Sequence, residues 1–164
     1  MEYNYYSYEK LEGKILVPKL PIWFREVEFN GDKNEGNLIL HSQNDYDEIY
    51  GSNAKMEILW EKKEREGFYY AKEVQQSIEL YNAIGFVVTS KENTWLMSHE
   101  FTFWYGQRTK MMRKRYYREK CIHGIFYCDI TKRLINLHTT IIDKFYDNFK
   151  PFVIKSYNTF ICHE

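Results

Sequence analysis

Phe68-Tyr69-Tyr70-Ala71-Lys72-Glu73-Val74-Gln75-Gln76-Ser77-Ile78-Glu79-Leu80-Tyr81-Asn82-Ala83-Ile84-Gly85-Phe86-Val87-Val88 is the stretch in which the hydrophobic period of this chain changes. Tyr70, Val74, Ile78, Tyr81 and Ile84 recur every three or four residues, while Lys72, Glu73, Gln75, Gln76 and Glu79 fall mostly on the other side. That spacing predicts an amphipathic helix over 68–84, with Gly85 as its left-handed stop. From Phe86 the period becomes two. Thr94–Trp104, Tyr116–Ile122, Ile125–Ile130 and Leu134–Thr140 read as successive antiparallel strands, with hairpins near Asn93, near Gly106 and at Thr131-Lys132.

Working outward, Gly13–Pro18 reads as a short strand ended by proline. Trp23–Phe29 reads as an edge strand before a turn at Asn30-Gly31-Asp32. Asn37–Ser42 and Met56–Trp60 read as two more strands, separated by an acidic polar loop over 43–53. Toward the C-terminus, 143–148 reads as a polar-aromatic connection. Phe149, Phe152, Val153 and Tyr157 then indicate a closing helix with Pro151 in its first turn. Strands, a helix, more strands and a helix make an α+β domain: a central antiparallel sheet flanked by a long helix and a C-terminal helix. Trp60, Val74, Ile78, Tyr81, Trp95, Phe126 and Leu137 are expected in its core.

The 164 residues fit one domain, with residues 1–10 as a loose N-terminal segment. A content of 44% hydrophobic and 18% aromatic residues is enough to bury a core, which excludes global disorder. Lys+Arg and Asp+Glu are 23 each, so the chain lacks the field of a generally DNA-coating protein. The charge is nevertheless divided: residues 1–66 hold 9 basic and 14 acidic side chains, and residues 67–164 hold 14 and 9. No run approaches the roughly 18 apolar residues of a spanning helix, and the first residues lack the pattern of a secretion signal. The expected protein is soluble and cytoplasmic. Lys and Glu enrichment with few Gln points to a thermophilic, archaeal source, against which the plentiful Asn weighs.

Chemistry-bearing motifs are sparse. No phosphate loop, Gly-x-Gly-x-x-Gly or serine-hydrolase signature occurs, and His99-Glu100 lacks the second histidine of a His-Glu-x-x-His zinc helix. Cys121, Cys128 and Cys162, with His123 and His163 beside them, leave three readings open: a zinc site, a disulfide from Cys128 or Cys121 to Cys162, or inert thiols. Zinc usually draws two of its ligands from a tight pair, and no Cys-x-x-Cys is present. Cys121 and Cys128, seven apart, face opposite sides of a straight strand and need a turn at Gly124 to meet. The cysteine pair taken forward is Cys128 and Cys162, as a disulfide; no metal site, cofactor or catalytic residue is expected.

The strongest charge signal lies within 105–120, where Arg108, Lys110, Arg113, Lys114, Arg115, Arg118 and Lys120 stand against Glu119, interleaved with Tyr105, Tyr116 and Tyr117. The plain reading is a solvated hairpin whose charges pair with the acidic N-terminal half. A recognition reading assigns Arg108, Lys110, Arg113, Lys114, Arg115, Tyr116, Tyr117 and Arg118 to an acidic protein partner. A third assigns them to a nucleic acid, with cations on phosphates and tyrosines on bases.

Trp95-Leu96-Met97-Ser98-His99-Glu100 is similar to a strand carrying a Gly/Ser-His step. In Gly124-Ile125-Phe126-Tyr127-Cys128-Asp129-Ile130-Thr131-Lys132-Arg133 an aromatic strand turns back at a polar hairpin. With the order of elements, these segments give residues 12–160 an outline that resembles the PsbP-like superfamily, the fold of photosystem lumenal PsbP proteins and a Ran-binding nuclear import factor. The resemblance implies architecture and a binding or assembly role with no shared active site. The expected function is therefore a non-catalytic binding or assembly module whose partner is another protein. A nucleic-acid-binding protein is second and a small enzyme third; no membrane partner is expected.

Overall fold

A computed structural model describes residues 4–8, 15–19, 25–41, 46–47, 51–52, 54–63, 68–112 and 114–163. Its centre is a seven-stranded antiparallel sheet in the order β3-β4-β7-β11-β10-β9-β8. The strands are β3 (Arg25–Gly31), β4 (Glu35–His41), β7 (Ala54–Lys62), β8 (Val87–Leu96), β9 (His99–Met112), β10 (Arg115–Cys128) and β11 (Arg133–Ile142). Two small hairpins stand apart from it: β1 (Asn4–Tyr8) with β2 (Ile15–Lys19), and β5 (Tyr46–Asp47) with β6 (Gly51–Ser52). The helices are α1 (Tyr70–Ala83) and α2 (Tyr146–Asn158). The class is α+β and largely sheet. The long flanking helix is an overestimate, since α1 has 14 residues, close to an ordinary helix. Among the described residues no helix is long and apolar enough to cross a membrane.

The alternation of β10 explains the layering. Ile122, Phe126 and Cys128 join one core with Leu38, Leu40, Met56, Ile58 and, from α2, Val153 and Tyr157. Cys121 and Ile125 join a second core with Trp104, Leu134, Phe86 and, from α1, Val74 and Tyr81. The helices thus cover opposite faces. Each also fastens itself to β10 with a tyrosine: Tyr70 Oη donates to the Ile125 carbonyl at 2.8 Å, and Tyr157 Oη donates to the Ile122 carbonyl at 2.8 Å. These bonds pair the half-buried Tyr70 and the buried Tyr157 hydroxyls with carbonyls in the covered part of β10.

Several local expectations need correction. β10 runs unbroken from Arg115 to Cys128, so there is no turn at Gly124. The glycine instead leaves room for Phe101, whose ring would lie 2.6 Å from a Cβ placed at 124. β8 continues through Asn93 and the chain reverses at Met97-Ser98, both with positive φ (49° and 67°), as a tight hairpin turn requires. β9 likewise passes Gly106 and reaches Met112. Pro18 lies inside β2, tolerated because that hairpin has only two strands. The closing helix begins at Tyr146 after a 3₁₀ turn over Asp143–Phe145, placing Pro151 inside it. Gly85, with φ 95°, does end α1: Phe86 N–H reaches the Tyr81 carbonyl and Gly85 N–H the Asn82 carbonyl, the paired bonds of a Schellman motif.

Of the expected core, Trp60, Val74, Tyr81, Phe126 and Leu137 are buried, and Ile78 is half-buried. Trp95 is 72% exposed. It sits on β8, an edge strand whose other side chains are nearly all exposed, so strand alternation there marks no buried face. Gly124→Ala should destabilise the fold by about 1–3 kcal/mol, because the new methyl meets the Phe101 and Tyr157 rings on a fully packed strand. Urea unfolding of the two proteins measures this, and equal midpoints would show that the rings yield freely.

Candidate functional site

On the α1 side, the helix lies over the β11-β10-β9 part of the sheet, and among the described residues no helix lies over β4 and β7. Between them is a cleft of about 810 Å³ whose walls include Leu80 and Ile84 of α1, Asn37 of β4, and Glu57, Leu59 and Glu61 of β7. Its floor is polar and comes from three elements: Tyr81 of α1, His123 of β10, and Asn136 and His138 of β11. Register brings the two histidines together, because His123 and His138 are direct cross-strand partners.

The hydrogen bonds fix every proton of this floor. Asn136 Oδ1 can only accept, so His123 Nε2 donates to it at 2.8 Å, which leaves His123 Nδ1 bare. Tyr81 Oη donates to that nitrogen at 2.6 Å and in turn accepts from His138 Nδ1. Trp104 stacks on His123 with centroids 4.2 Å apart and planes 10° from parallel. Burial holds both imidazoles neutral, pushing His123 down to about 3, partly opposed by the Asn136 bond, and His138 down to about 4 with help from the charge of Lys55. The network runs from Asn136 through His123 and Tyr81 to His138. Its chemistry is to hold Tyr81, and with it α1, at a fixed height above the sheet.

A histidine with a lowered folded value binds fewer protons than its unfolded counterpart, which titrates near 6.5. Stability is therefore complete above about pH 6.5 and is lost as pH falls from there toward 4, with a limiting slope of about 1.4 kcal/mol per pH unit for each histidine. Denaturant titrations at pH 7.5, 6, 5 and 4.5 should show this loss, and His138→Gln should flatten the curve. A wild-type stability constant from pH 7 to 5 would contradict the buried neutral pair.

The basic segment forms the far end of the β9–β10 hairpin. β8 pairs with β9 only up to Gln107, and β11 pairs with β10 only from Glu119. Residues 109–112 and 115–118 therefore pair only with each other and project from the sheet as a two-stranded arm. Its cations divide by position. Arg108 belongs to the body: it donates to the Ile84 carbonyl at the end of α1, lies 4.2 Å over the Phe86 ring, and bonds Glu119 at 3.1 Å. Lys110 shares Glu119 at 3.4 Å, and Lys120 pairs with Asp143 at 3.1 Å. The arm's cations are thus partnered by Glu119 and Asp143, not by the acidic N-terminal half, among the described residues. Lys114, Arg115 and Arg118 are exposed and make no ion pair among the described residues, and Arg113 lies outside them. Tyr116 and Met111 are directly paired and 76% and 63% exposed; Tyr117, on the opposite face, is half-buried.

The three cysteines are buried free thiols. Cys121 faces the α1 side and Cys128 the α2 side, as their odd spacing on one strand dictates. The C-terminal tail brings Cys162 and His163 to Cys128, and the start of β9 brings His99: one ligand atom from each lies within 4.8 Å of the others. His163 Nδ1 is 3.0 Å from Cys162 Sγ and 3.4 Å from Cys128 Sγ. The Cys162 thiol, against the opposing effect of burial and aided by the Thr131 N–H, holds Cys128 well below an ordinary thiol, at about 4, while Cys162 is raised. In the sequence, His99-Glu100 lacks a second histidine four residues on, so local spacing gives no sign of this role for His99. The partners it meets are 29 or more residues away.

No family model matches this chain, and no curated protein matches its sequence. Solved structures do match in shape. Cyanobacterial PsbP (CyanoP) from Synechocystis sp. PCC 6803 superposes with a TM-score of 0.60 at 10% identity, over 96% of this chain and 90% of that one. A protein of unknown function from Pseudomonas aeruginosa superposes with a TM-score of 0.58 at 11% identity, over 97% and 96%. The Ran-binding protein Mog1p of Saccharomyces cerevisiae aligns at 0.49 and 8% identity, over 93% and 85%. The chain has a PsbP-like fold, as the order of its elements implied.

Proposed function

We propose that this protein is a non-catalytic binding module that engages an acidic surface of another protein through the β9–β10 arm. The observation that carries this reading is the projection of residues 109–112 and 115–118 beyond both neighbouring strands, with Lys114, Arg115 and Arg118 making no ion pair among the described residues. Strand parity puts Met111, Tyr116 and Arg118 on one face of the arm, away from Glu119. Exposed tyrosine and arginine on a rigid scaffold are the residue types that dominate protein interfaces. In the cleft floor both ring nitrogens of His123 and the Tyr81 hydroxyl are engaged by neighbouring side chains, which favours a structural role over acid–base catalysis for them. The PsbP-like fold is compatible with binding and names no partner.

Nucleic acid is the second reading, since the same cations and Tyr116 would suit phosphates and a stacked base. One comparison separates the two. The protein is immobilised and incubated with extract, with and without nuclease, and the captured material is eluted in rising salt. An acidic protein should be retained after nuclease treatment and released by salt, because the attraction is screened. Lys114→Glu/Arg115→Glu/Arg118→Glu should lose at least about tenfold in capture at an unchanged thermal midpoint, since exposed charges contribute little to folding. Loss of capture on nuclease treatment selects nucleic acid, and undiminished capture by the triple variant removes the arm from recognition.

A further inference from the structure

We propose that His99, Cys128, Cys162 and His163 form a tetrahedral site for a zinc-class divalent cation, which staples the C-terminal tail to the end of the central sheet. The donor atoms come from three separate parts of the chain. His99 opens β9 directly after the Met97-Ser98 turn, and Cys128 closes β10 on the neighbouring strand. Each stands two residues beyond the ladder pair Phe101↔Phe126, on the same face of the sheet. Cys162 and His163 arrive from the tail beyond α2, whose path is held by a bond from Arg133 Nη2 to the Cys162 carbonyl at 3.2 Å. Zinc with sulfur at about 2.3 Å and nitrogen at about 2.0–2.1 Å sets its ligand atoms roughly 3.3–3.8 Å apart. The four atoms here all lie within 4.8 Å of one another, and the two His163–sulfur distances are 3.0 and 3.4 Å. Small side-chain movements would close the set around an ion.

A second observation points to a ligand. His99 is only 7% exposed, and its Nε2 has no hydrogen-bond partner among the described residues. Its other nitrogen, Nδ1, faces the Asp129 carboxylate at 3.4 Å. This is the carboxylate–histidine arrangement that fixes a metal-binding imidazole, with the proton on Nδ1 and the lone pair of Nε2 directed inward. The Thr131 N–H points at Cys128 Sγ at 3.5 Å, a donor suited to a thiolate. A disulfide between Cys128 and Cys162 would use the two sulfurs and leave the His99 nitrogen buried with no partner, whereas a cation uses all four groups. Two thiolates neutralise a divalent charge, which lets the centre sit in a dry corner of the core. The S₂N₂ donor set favours zinc over magnesium or calcium.

The test uses the full chain, purified under reductant and stripped of metal. Cobalt(II) added to the wild type should give the intense visible bands of a tetrahedral centre and near-ultraviolet thiolate charge-transfer bands. Both should saturate at one equivalent and be abolished by one equivalent of zinc. Zinc should raise the thermal midpoint of the wild type and of Cys121→Ser, whose thiol lies on the other face, but not of Cys128→Ser or His99→Ala. Asp129→Asn should weaken the metal about 10–100-fold without abolishing the cobalt spectrum. A wild type that takes up no cobalt, or shows only the weak bands of an octahedral ion, overturns the proposal. So does Cys121→Ser losing the metal. Denatured protein isolated without reductant should show three free thiols; a single one would establish a disulfide in place of the metal. The cobalt titration and thiol count use wild type alone and decide the matter even if the variants fail to fold.

Discussion

From Cys121 to Cys128 β10 is covered on both faces, and the rest of the molecule is arranged around that constraint. A strand covered on one side needs one apolar set of alternate residues, whereas this one needs two, and its successive side chains supply them: Cys121 and Ile125 to the core beneath α1, Ile122 and Phe126 to the core beneath α2. The tyrosines that bond the Ile122 and Ile125 carbonyls set the height of each helix above the strand. Gly124 lets the Phe101 ring approach the same backbone from the side. A one-residue slip of β10 would exchange the two cores, so its register is tightly specified.

The unequal coverage of the two faces produces the features that bear on function. Because α1 covers only part of its face, the cross-strand pair His123 and His138 forms the floor of a cleft with an acidic and apolar rim. Because β9 and β10 are both 14 residues long and their neighbours are shorter, their far end stands clear as a basic arm. At the other end of the same two strands, where the hairpin turns lie, the C-terminal tail closes over His99 and Cys128. Arm and tail site thus occupy opposite ends of one long hairpin.

The histidines show how neighbours decide the role of a residue type. His123 and His138 find complementary donors and acceptors in Tyr81 and Asn136, and burial keeps them neutral. They therefore have a structural part. His99 has a carboxylate on Nδ1, and among the described residues its Nε2 has no hydrogen-bond partner but lies in a cluster with two sulfurs and a second imidazole. That imbalance gives it a different chemistry, although both sets are built on adjacent strands of one sheet.

Periodicity alone determined that a helix ends at Gly85 and that antiparallel strands follow, because a positive-φ stop and a change of period are local properties. It also placed Val74, Tyr81 and Phe126 in the core, and it separated Cys121 from Cys128 by counting along a strand. It failed at Trp95, since the alternation of an edge strand looks like that of a covered one until the neighbouring elements are known. It divided β10 at Gly124, because a glycine required by an approaching ring looks like a glycine required by a turn. Arg108 read as part of a binding surface, and only the packing of α1 against β9 revealed it as the clamp on that helix's end. The tail cluster was the least legible. His99, Cys128 and Cys162-His163 have no shared spacing, and only strand register and the return of the chain after α2 bring their donor atoms within 4.8 Å.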